Sequence, residues 1–162
     1  MTKKDNMNKI VIFDLDGTLA LIDKRRDLAT KDNGKMDWDV FFNADNIKLD
    51  VPNKPVITMA QSLHSQGFNI VIFSGRSKST YRTTRQWLIQ NDVPFDTLQM
   101  RPNDRDSGGK FHFMKDSDLK QVWLDTLIDF DDVFAVFDDR NQVVDMWRSN
   151  GLPVFQVAEG DF

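Results

Sequence analysis

The sequence contains no cysteine among its 162 residues. This absence excludes disulfide bonds, thiolate zinc sites and a cysteine nucleophile. Histidine is almost absent as well: His64 and His112 have no spacing that suggests a shared metal or a catalytic pair, and we expect neither to take part in catalysis. Oxygen atoms therefore remain as the natural metal ligands, and they favour a hard cation such as Mg²⁺.

Long hydrophobic runs are also absent. Residues 1–8 are polar and charged, and no apolar segment behind them is long enough for a signal peptide or a membrane span. We therefore expect a cytoplasmic protein with no membrane partner. There is no repeat, low-complexity tract or linker, and 40% hydrophobic and 28% charged residues suit a single domain over residues 1–162.

A strong positive charge is missing too. The formal net charge of −4 argues against a surface that grips nucleic acid broadly, because such binding depends on many lysine and arginine contacts to phosphates. Any contact with a nucleic acid is therefore expected to be local. Two basic clusters could provide it: residues 24–26, and the group of Arg101, Arg105 and Lys110.

What the sequence does contain is an alternation of strand-like and helical patterns. Short β-branched and aromatic runs predict strands at residues 9–13, 69–73, 97–100, 133–137 and 153–156. Amphipathic spacing, caps and glycine stops predict helices at residues 55–66, from 77 or 79 to about 91, from 117 or 118 to about 128, and 141–149. Such repeated units with right-handed crossovers predict an α/β fold, a three-layer sandwich around a parallel five-stranded sheet.

Residues 20–54, which follow the first predicted strand, are rich in charge and punctuated by turn signals. We expect them to form a small insertion, or cap. Within them, Trp38, Phe41 and Phe42 recur at helical spacing after Asp37. This spacing indicates a short helix whose aromatic side chains pack in the core or a lid, and stacking on a substrate is the alternative.

Two carboxylates stand directly after the first predicted strand. They belong to Asp14 and Asp16, and Gly17 then lets the backbone turn sharply. Residues two apart on an extended chain point the same way, so the two side chains can converge on one point. That geometry suits a divalent cation and a phosphoryl group, although a solvated acidic loop also fits this segment taken alone.

Further polar groups lie at the ends of other predicted strands. The second strand ends in Ser74 and Gly75, the fourth ends in Asp138 and Asp139, and Lys120 lies in a predicted helix between them. If the strand order is third, second, first, fourth, fifth, the topological switch point lies between the first and fourth strands. Ligands bind at such a point, so these groups are expected to line one crevice.

The same residues fit phosphate chemistry. A phosphate monoester repels a nucleophile, so its catalyst needs a cation and fixed donors around the phosphoryl oxygens. With Mg²⁺ held by Asp14, Asp138 and a backbone oxygen near Asp16, one oxygen of Asp14 is free to attack phosphorus and form an acyl phosphate. Asp16 would protonate the leaving alkoxide, which requires a pKa raised towards neutral.

The donors to the phosphoryl oxygens would be the Ser74 hydroxyl and the Gly75 N–H, while Lys120 supplies a positive charge to the transferred group. Plainer interpretations also exist. Ser74 alone fits a helix N-cap, Lys120 fits a solvated helix face, and Asp139 fits a surface turn instead of an anchor for the metal site.

The four motifs, taken in this order, resemble those of the haloacid dehalogenase (HAD) superfamily of phosphotransferases. Within it, the sequence resembles the 3′-phosphatase domain of the polynucleotide kinase/phosphatase family, as found in phage polynucleotide kinase. The segments that carry this resemblance are residues 71–76, 115–120, 137–148 and 156–162. It implies a HAD-like Rossmannoid three-layer sandwich, phosphatase activity and Mg²⁺ as the cofactor.

The resemblance also implies roles for single residues. It makes Asp14 the nucleophile and Asp16 the general acid and base. The other implied roles are phosphate or nucleotide binding by Thr18, Ser74, Gly75, Arg76 and Lys120, an approach to the substrate strand by Arg25, and Mg²⁺ binding by Asp14, Asp16, Asp138 and Asp139.

These features together predict a Mg²⁺-dependent phosphatase that removes a 3′-phosphate from a DNA or RNA end or from a nucleotide, with no obligate protein partner. A 5′-nucleotidase or small-metabolite phosphatase is the enzymatic alternative. A non-catalytic module that binds phosphorylated ends is the alternative of a different class, and the paired Asp14 and Asp16 speak against it. No kinase P-loop pattern occurs, so no 5′-kinase activity is expected.

Overall fold

The computed structural model describes residues 1–103 and 108–161, so Arg105 of the second basic cluster lies outside the described residues. The strands are β1 (Ile10–Phe13), β2 (Ala20–Leu21), β3 (Val51–Pro52), β4 (Asn69–Ser77), β5 (Thr97–Arg101), β6 (Val133–Arg140) and β7 (Val154–Gly160). The α-helices are α1 (Lys3–Asn6), α2 (Asp23–Ala29), α3 (Trp38–Phe41), α4 (Ala44–Ile47), α5 (Lys54–Ser65), α6 (Tyr81–Gln90), α7 (Asp116–Leu127) and α8 (Asn141–Ser149). Among these described helices, none is long and apolar enough to cross a lipid bilayer.

Five strands form one parallel sheet in the order β5-β4-β1-β6-β7. This is the order expected from the sequence, and the α/β fold is confirmed. β1 lies at the centre, where Val11 pairs with Ile70 on one side and with Ala135 on the other. The carboxyl ends of β1, β4 and β6 therefore open at the same edge of the sheet.

Helices cover both faces of this sheet, which explains why its central strands are apolar throughout. Side chains alternate along β1: Val11 and Phe13 pack with α5 and α6, whereas Ile12 packs with α7 and α8. The helical spacing of Val56, Met59, Ala60 and Leu63 predicts that all four face the sheet from α5, but the structure differs at Met59. Met59 is 46% exposed and Ile57 is buried in its place.

Several strands run farther than their apolar residues. β4 and β6 were expected to end at residues 73 and 137, yet they continue to Ser77 and Arg140. The ladder continues because backbone pairing does not depend on apolar side chains: Ser74 pairs with Met100, and Asp138 pairs with Gln156. Ser74 and Asp138 are thus held in the paired ladder, but the register shifts directly after each of them, between Ser74 and Ser77 and between Asp138 and Arg140.

The segment between β1 and α5 contains β2, α2, α3, α4 and β3. The short antiparallel pair of β2 and β3, which the sequence did not predict, brings the two ends of this segment together. The side-chain amide of Asn53 also donates to the carbonyl oxygen of Thr18 over 2.8 Å. Asp37 caps α3 by accepting from the backbone N–H of Val40, which confirms the helix expected after Asp37.

Candidate active site

Three carboxylates meet where β1 and β6 end. Asp14 directly follows β1, and Asp138 and Asp139 belong to the end of β6. Each contributes a carboxylate oxygen to a group in which the oxygens lie within 4.8 Å of one another, and all three residues are buried. The three predicted site residues therefore lie together at the carboxyl ends of β1 and β6. Because it is buried, Asp139 is not a surface turn residue.

Lys120 reaches this carboxylate group from α7. Its Nζ donates to Asp14 Oδ1 over 2.6 Å and to Asp138 Oδ2 over 3.0 Å, and the residue is only 2% exposed. Burial alone would lower the pKa of Lys120, but the negative charges of Asp138 and Asp14 outweigh it, and the net effect raises the pKa. Lys120 is therefore a buried ammonium group, and the interpretation as a solvated helix face is wrong.

Asp138 is held by donors on both of its oxygens. Oδ1 accepts from the backbone N–H groups of Asp139 and Arg140 over 2.9 and 3.3 Å. Oδ2 accepts from the Trp147 indole N–H over 3.1 Å in addition to Lys120. Trp147 is a core residue, and its N–H also fixes the orientation of this carboxylate.

Thr18 lies between two of the three carboxylates. Its hydroxyl is 3.3 Å from Asp14 Oδ2 and 3.3 Å from Asp139 Oδ1, and the residue is completely buried. Gly17 makes the close approach possible, because it has a φ of +84° and a Cβ there would lie 2.1 Å from Asp139 Oδ2. A residue with a side chain at position 17 would displace the carboxylate.

The charges of this group favour a divalent cation. Burial and the nearby charges of Asp138 and Asp139 raise the pKa of Asp14 well above its usual value, although Lys120 opposes them. Burial and Asp138 likewise raise the pKa of Asp139 to about 6. Three carboxylates beside one ammonium carry a net charge of −2 when ionised, and their oxygens are hard ligands. The donor set and its charge fit Mg²⁺.

Asp16 does not point into this carboxylate group. Its Oδ1 accepts from Arg25 Nη2 over 2.7 Å and from Arg76 Nε and Nη2 over 2.8 and 2.5 Å. Burial raises the pKa of Asp16, but Arg76 and Arg25 outweigh burial and lower it overall. The sequence predicted a pKa of Asp16 raised towards neutral, and this prediction is wrong for the observed arrangement. The pKa is lowered because two guanidinium groups stabilise the carboxylate.

Asp50 completes this second charged group, and sequence reasoning missed it. Its Oδ1 accepts from Arg25 Nε over 3.0 Å, and its Oδ2 accepts from Arg25 Nη2 and Arg76 Nη2 over 3.0 and 2.6 Å. Arg25, Arg76 and the Asp50 side chain are all fully buried. Asp50 stands alone before β3, without any spacing that relates it to a motif and 25 and 26 residues from the two arginines, so the sequence offered no signal for it.

Arg25 and Arg76 are therefore both placed beside the predicted acid, in a buried network. The network is anchored by neutral groups as well: Arg25 Nη1 donates to the Phe41 carbonyl over 3.1 Å, and Arg76 Nη1 donates to Thr84 Oγ1 over 3.3 Å. Neither guanidinium group projects into solvent. Their predicted contacts with phosphate or a substrate strand stay predictions.

Ser74 and Gly75 lie in the polar part of β4. The Ser74 hydroxyl is buried and accepts from the Arg76 backbone N–H over 3.2 Å, so Ser74 is not a helix N-cap. Gly75 faces Asp116, because a Cβ at Gly75 would lie 2.7 Å from Asp116 Oδ1. Asp116, which sequence reasoning did not single out, binds Arg101 and Arg140 over 2.5 and 2.8 Å.

Within the part of the chain that the structure describes, Arg101 of the second basic cluster has a structural role. Arg101 binds Asp116 and also donates to the carbonyl oxygens of Gly75 and Met114 over 3.1 and 2.8 Å. It therefore holds the chain next to the site instead of projecting as a free cation. Lys110 lies over the ring of Phe111, with its Nζ 5.2 Å from the ring centroid.

Comparison with known proteins identifies relatives of this chain. The sequence model of the family described as "Polynucleotide kinase PNKP phosphatase domain" matches residues 8–162. A protein of Autographa californica nuclear polyhedrosis virus named "Putative bifunctional polynucleotide kinase/RNA ligase" is 34% identical over 159 residues, which are 95% of this chain and 20% of the relative.

Solved structures show the same relationship. A chain in the structure of a Pnkp1/Rnl/Hen1 complex is 33% identical, with a TM-score of 0.78 over 96% of this chain and 48% of that chain. A predicted phosphatase from Clostridium acetobutylicum shares the fold at 16% identity, with a TM-score of 0.67 over 91% of this chain and 83% of that chain.

The chain thus spans about half or less of the first two of these relatives. The family model covers nearly all of this chain, including every segment on which the resemblance was based. The fold is that of the HAD phosphatases, and the chain belongs to the family of phosphatase domains of polynucleotide kinase PNKP.

Proposed function

We propose that this phosphatase domain removes 3′-phosphates from nucleic-acid ends in a Mg²⁺-dependent reaction, through an aspartyl-phosphate on Asp14. The observation that carries the proposal is the buried group of Asp14, Asp138 and Asp139 with Lys120 between two of them. Such a group combines a nucleophile, a fixed positive charge and oxygen ligands at the edge of the sheet where the parallel strands end.

The metal ion would be held by oxygens of Asp14, Asp138 and Asp139. When bound, it would neutralise negative charge on the phosphoryl group and on the carboxylates around it. Because Trp147 and two backbone N–H groups already hold Asp138, that ligand needs little reorganisation on binding.

Asp14 supplies the nucleophile in this mechanism. One of its carboxylate oxygens forms a bond to phosphorus while the bond from phosphorus to the departing ester oxygen breaks, which leaves an acyl phosphate on the side chain. Lys120 contributes in two ways. It stabilises the ionised form of Asp14 against burial, and it places a positive charge beside the group that is transferred.

Asp16 would provide the proton for the departing oxygen, a step that its lowered pKa disfavours while Arg76 and Arg25 both donate to its carboxylate. The two guanidinium groups that lower this pKa belong to residues that also suit a phosphate dianion. A bound phosphate would compete with Asp16 for Arg25 and Arg76, and the carboxyl pKa would rise as those cations turn away from it. In this way substrate binding would prepare the acid, and the ionised form would later deprotonate the attacking water.

The substrate assignment depends on the family and on residues 20–54. The family is defined by polynucleotide kinase phosphatase domains, and the viral relative is named as a polynucleotide kinase/RNA ligase. We infer that phosphorylated nucleic-acid ends are the substrate class. Residues 20–54 would act as a small cap on the single domain, because they supply Arg25 and Asp50 to the network around Asp16.

Phosphate release from three substrates tests the proposal. The parent protein with Mg²⁺ is compared on a 3′-phosphorylated oligonucleotide, a 3′-mononucleotide and a 5′-mononucleotide. We expect the highest kcat/KM on the oligonucleotide and no release by Asp14→Asn. Asp45→Asn is the matched control, since the Asp45 side chain is 84% exposed and lies outside the site. A preference for the 5′-mononucleotide would overturn the substrate assignment, and no release by the parent from any substrate would overturn the enzymatic function.

A further inference from the structure

Trp38 is an exposed tryptophan in a protein that buries the other three. It is 60% exposed, whereas Trp87, Trp123 and Trp147 are at most 5% exposed. Trp38 was expected to pack in the core or a lid; it packs on Phe41 and Phe42 within residues 20–54, but most of its side chain is exposed. Large exposed aromatic side chains of this kind mark binding surfaces more often than isolated smaller residues do.

Two phenylalanine rings contact the ring of Trp38. The ring of Phe42 stacks on it with centroids 5.9 Å apart and an angle of 18° between the planes. Phe41 meets both rings edge-on, at 5.7 Å from Trp38 and 5.0 Å from Phe42. Phe41 is buried, and Phe42 packs partly against the core. The indole is therefore held in a defined orientation, as a preformed flat surface.

This aromatic group is connected directly to the predicted acid. The Phe41 ring lies 4.4 Å from the Arg25 guanidinium carbon, and the Phe41 carbonyl accepts from Arg25 Nη1 over 3.1 Å. The same guanidinium group donates to Asp16 over 2.7 Å. A chain of contacts through Phe41 and Arg25 thus connects Trp38 with Asp16, the proposed acid.

The charges around Trp38 favour a neutral ring over a phosphate backbone. Asp37 and Asp39 flank Trp38 in the sequence, and Lys31 pairs with Asp37 over 3.3 Å, so these three charged side chains carry a net charge of −1 when ionised. A phosphate backbone gains little from a surface without excess positive charge, whereas a nucleobase has no charge and stacks readily on an aromatic face. A single base next to the scissile phosphate fits the surface better than a long strand.

We propose that Trp38, supported by Phe42, is the stacking surface for the terminal nucleobase of the substrate. The inference rests on the proposed function, since it assigns the base that accompanies the 3′-phosphate. Stacking uses the ring face that all bases share, so the surface selects for the presence of a base and not for its identity. Phosphate esters that carry no base would not benefit from it.

The test compares two oligonucleotides that are identical except for the terminal base. One carries a normal 3′-phosphorylated nucleotide, and the other ends in an abasic sugar with the same 3′-phosphate. For Trp38→Ala we expect kcat/KM to fall about tenfold on the normal end, which is the scale of one stacked base, and to match the parent on the abasic end. Trp38→Phe keeps a ring and should recover most of the loss. Phe130→Ala, which removes a 43% exposed ring at the amino end of β6, is the matched control and should behave like the parent.

A binding measurement gives an independent readout. In an Asp14→Asn background, the normal oligonucleotide should quench the fluorescence of Trp38, the exposed indole, and the abasic one should quench it much less. Equal losses for Trp38→Ala on both ends, or no loss on either, would overturn the stacking surface while the proposed function stands. Release from neither end by the parent would overturn the proposed function, and the stacking surface with it. A parent dimer in sedimentation that Trp38→Ala dissociates would assign the surface to a second copy of the chain and would also overturn the inference.

Discussion

Asp50 Oδ2 lies 2.6 Å from Arg76 Nη2, and both side chains are completely excluded from solvent. The pair belongs to a group of two carboxylates, Asp16 and Asp50, and two guanidinium groups, Arg25 and Arg76, whose formal charges cancel. The arrangement joins residues 20–54 to the ends of β1 and β4. The position of Asp16, the proposed acid, therefore depends through Arg25 and Arg76 on Asp50, a residue that none of the sequence motifs contains.

Removal of the Asp50 charge is expected to destabilise the protein strongly. Asp50→Asn leaves two buried cations with a single carboxylate, and breaking a buried ion pair in this way costs about 3–5 kcal/mol. Urea unfolding measures the effect. Asp45→Asn, at an exposed position in the same segment, should stay within about 0.5 kcal/mol of the parent. An equally small change for Asp50→Asn would mean that the network does not hold residues 20–54 in place.

Loss of the Lys120 charge should alter the pH dependence of the reaction. Lys120 lowers the pKa of Asp14 against the effect of burial, so Lys120→Met should raise that pKa further. Because Asp14 attacks in its ionised form, the acid limb of the kcat profile should move to higher pH and the maximal rate should fall. Lys115→Met, at an exposed position just before α7, is the control. An acid limb that stays in place would contradict the assigned role of Lys120.

Two glycines with similar backbone angles allow a matched test of the carboxylate group. Gly17 and Gly34 have φ values of +84° and +77°, but a Cβ at Gly17 would collide with Asp139, whereas a Cβ at Gly34 would meet nothing within 4 Å. Both alanine variants should lose about 1–2 kcal/mol from the unfavourable backbone angle. Only Gly17→Ala should also lose the increase in Tm that Mg²⁺ causes. If Gly17→Ala keeps that increase, Asp139 is not needed to bind the metal.

Stabilisation by Mg²⁺ should depend on pH. The pKa of Asp139 is raised to about 6 in the folded protein from 3.8, so without metal its contribution to stability is largest at low pH and is lost as the pH rises through about 6. Mg²⁺ binds the ionised carboxylates and should offset this loss. Thermal unfolding with Mg²⁺ or with a chelator should therefore show a larger increase in Tm at neutral pH than at a pH near 5. An equal increase at both values would contradict the proposed ligand set.

The sequence was sufficient to predict a parallel five-stranded sheet and the group of Asp14, Asp138, Asp139 and Lys120, and the strand order that it only supposed is the observed one. These residues carry local signals: each carboxylate follows an apolar run, and parallel strands bring such ends to one edge. Helix α8 was also predicted with its observed bounds, because its apolar spacing and the following glycine are unambiguous.

The remaining features depend on how distant segments fold together. Asp50 pairs with Arg25 and Arg76, which are 25 and 26 residues away in the sequence, and no periodic pattern records such a pairing. The helical spacing correctly predicted that the Trp38 ring lies next to the rings of Phe41 and Phe42. Spacing does not determine whether another helix or strand covers the aromatic face that these three residues form. The carboxyl-terminal ends of β4 and β6 were not predicted, because backbone pairing with the neighbouring strands continues beyond the apolar residues on which the prediction depended.

Covalent transfer of the phosphoryl group to Asp14 can be tested with the variant Asp16→Asn. With p-nitrophenyl phosphate the leaving group needs no proton, so the variant should still form the acyl phosphate but should hydrolyse it slowly. We expect a burst of about one p-nitrophenolate per protein molecule, and mass spectrometry should find a hydroxylamine-sensitive phosphoryl group on the peptide that contains Asp14. A phosphoryl group on no residue, together with turnover by Asp14→Asn at the parent rate, would contradict the account.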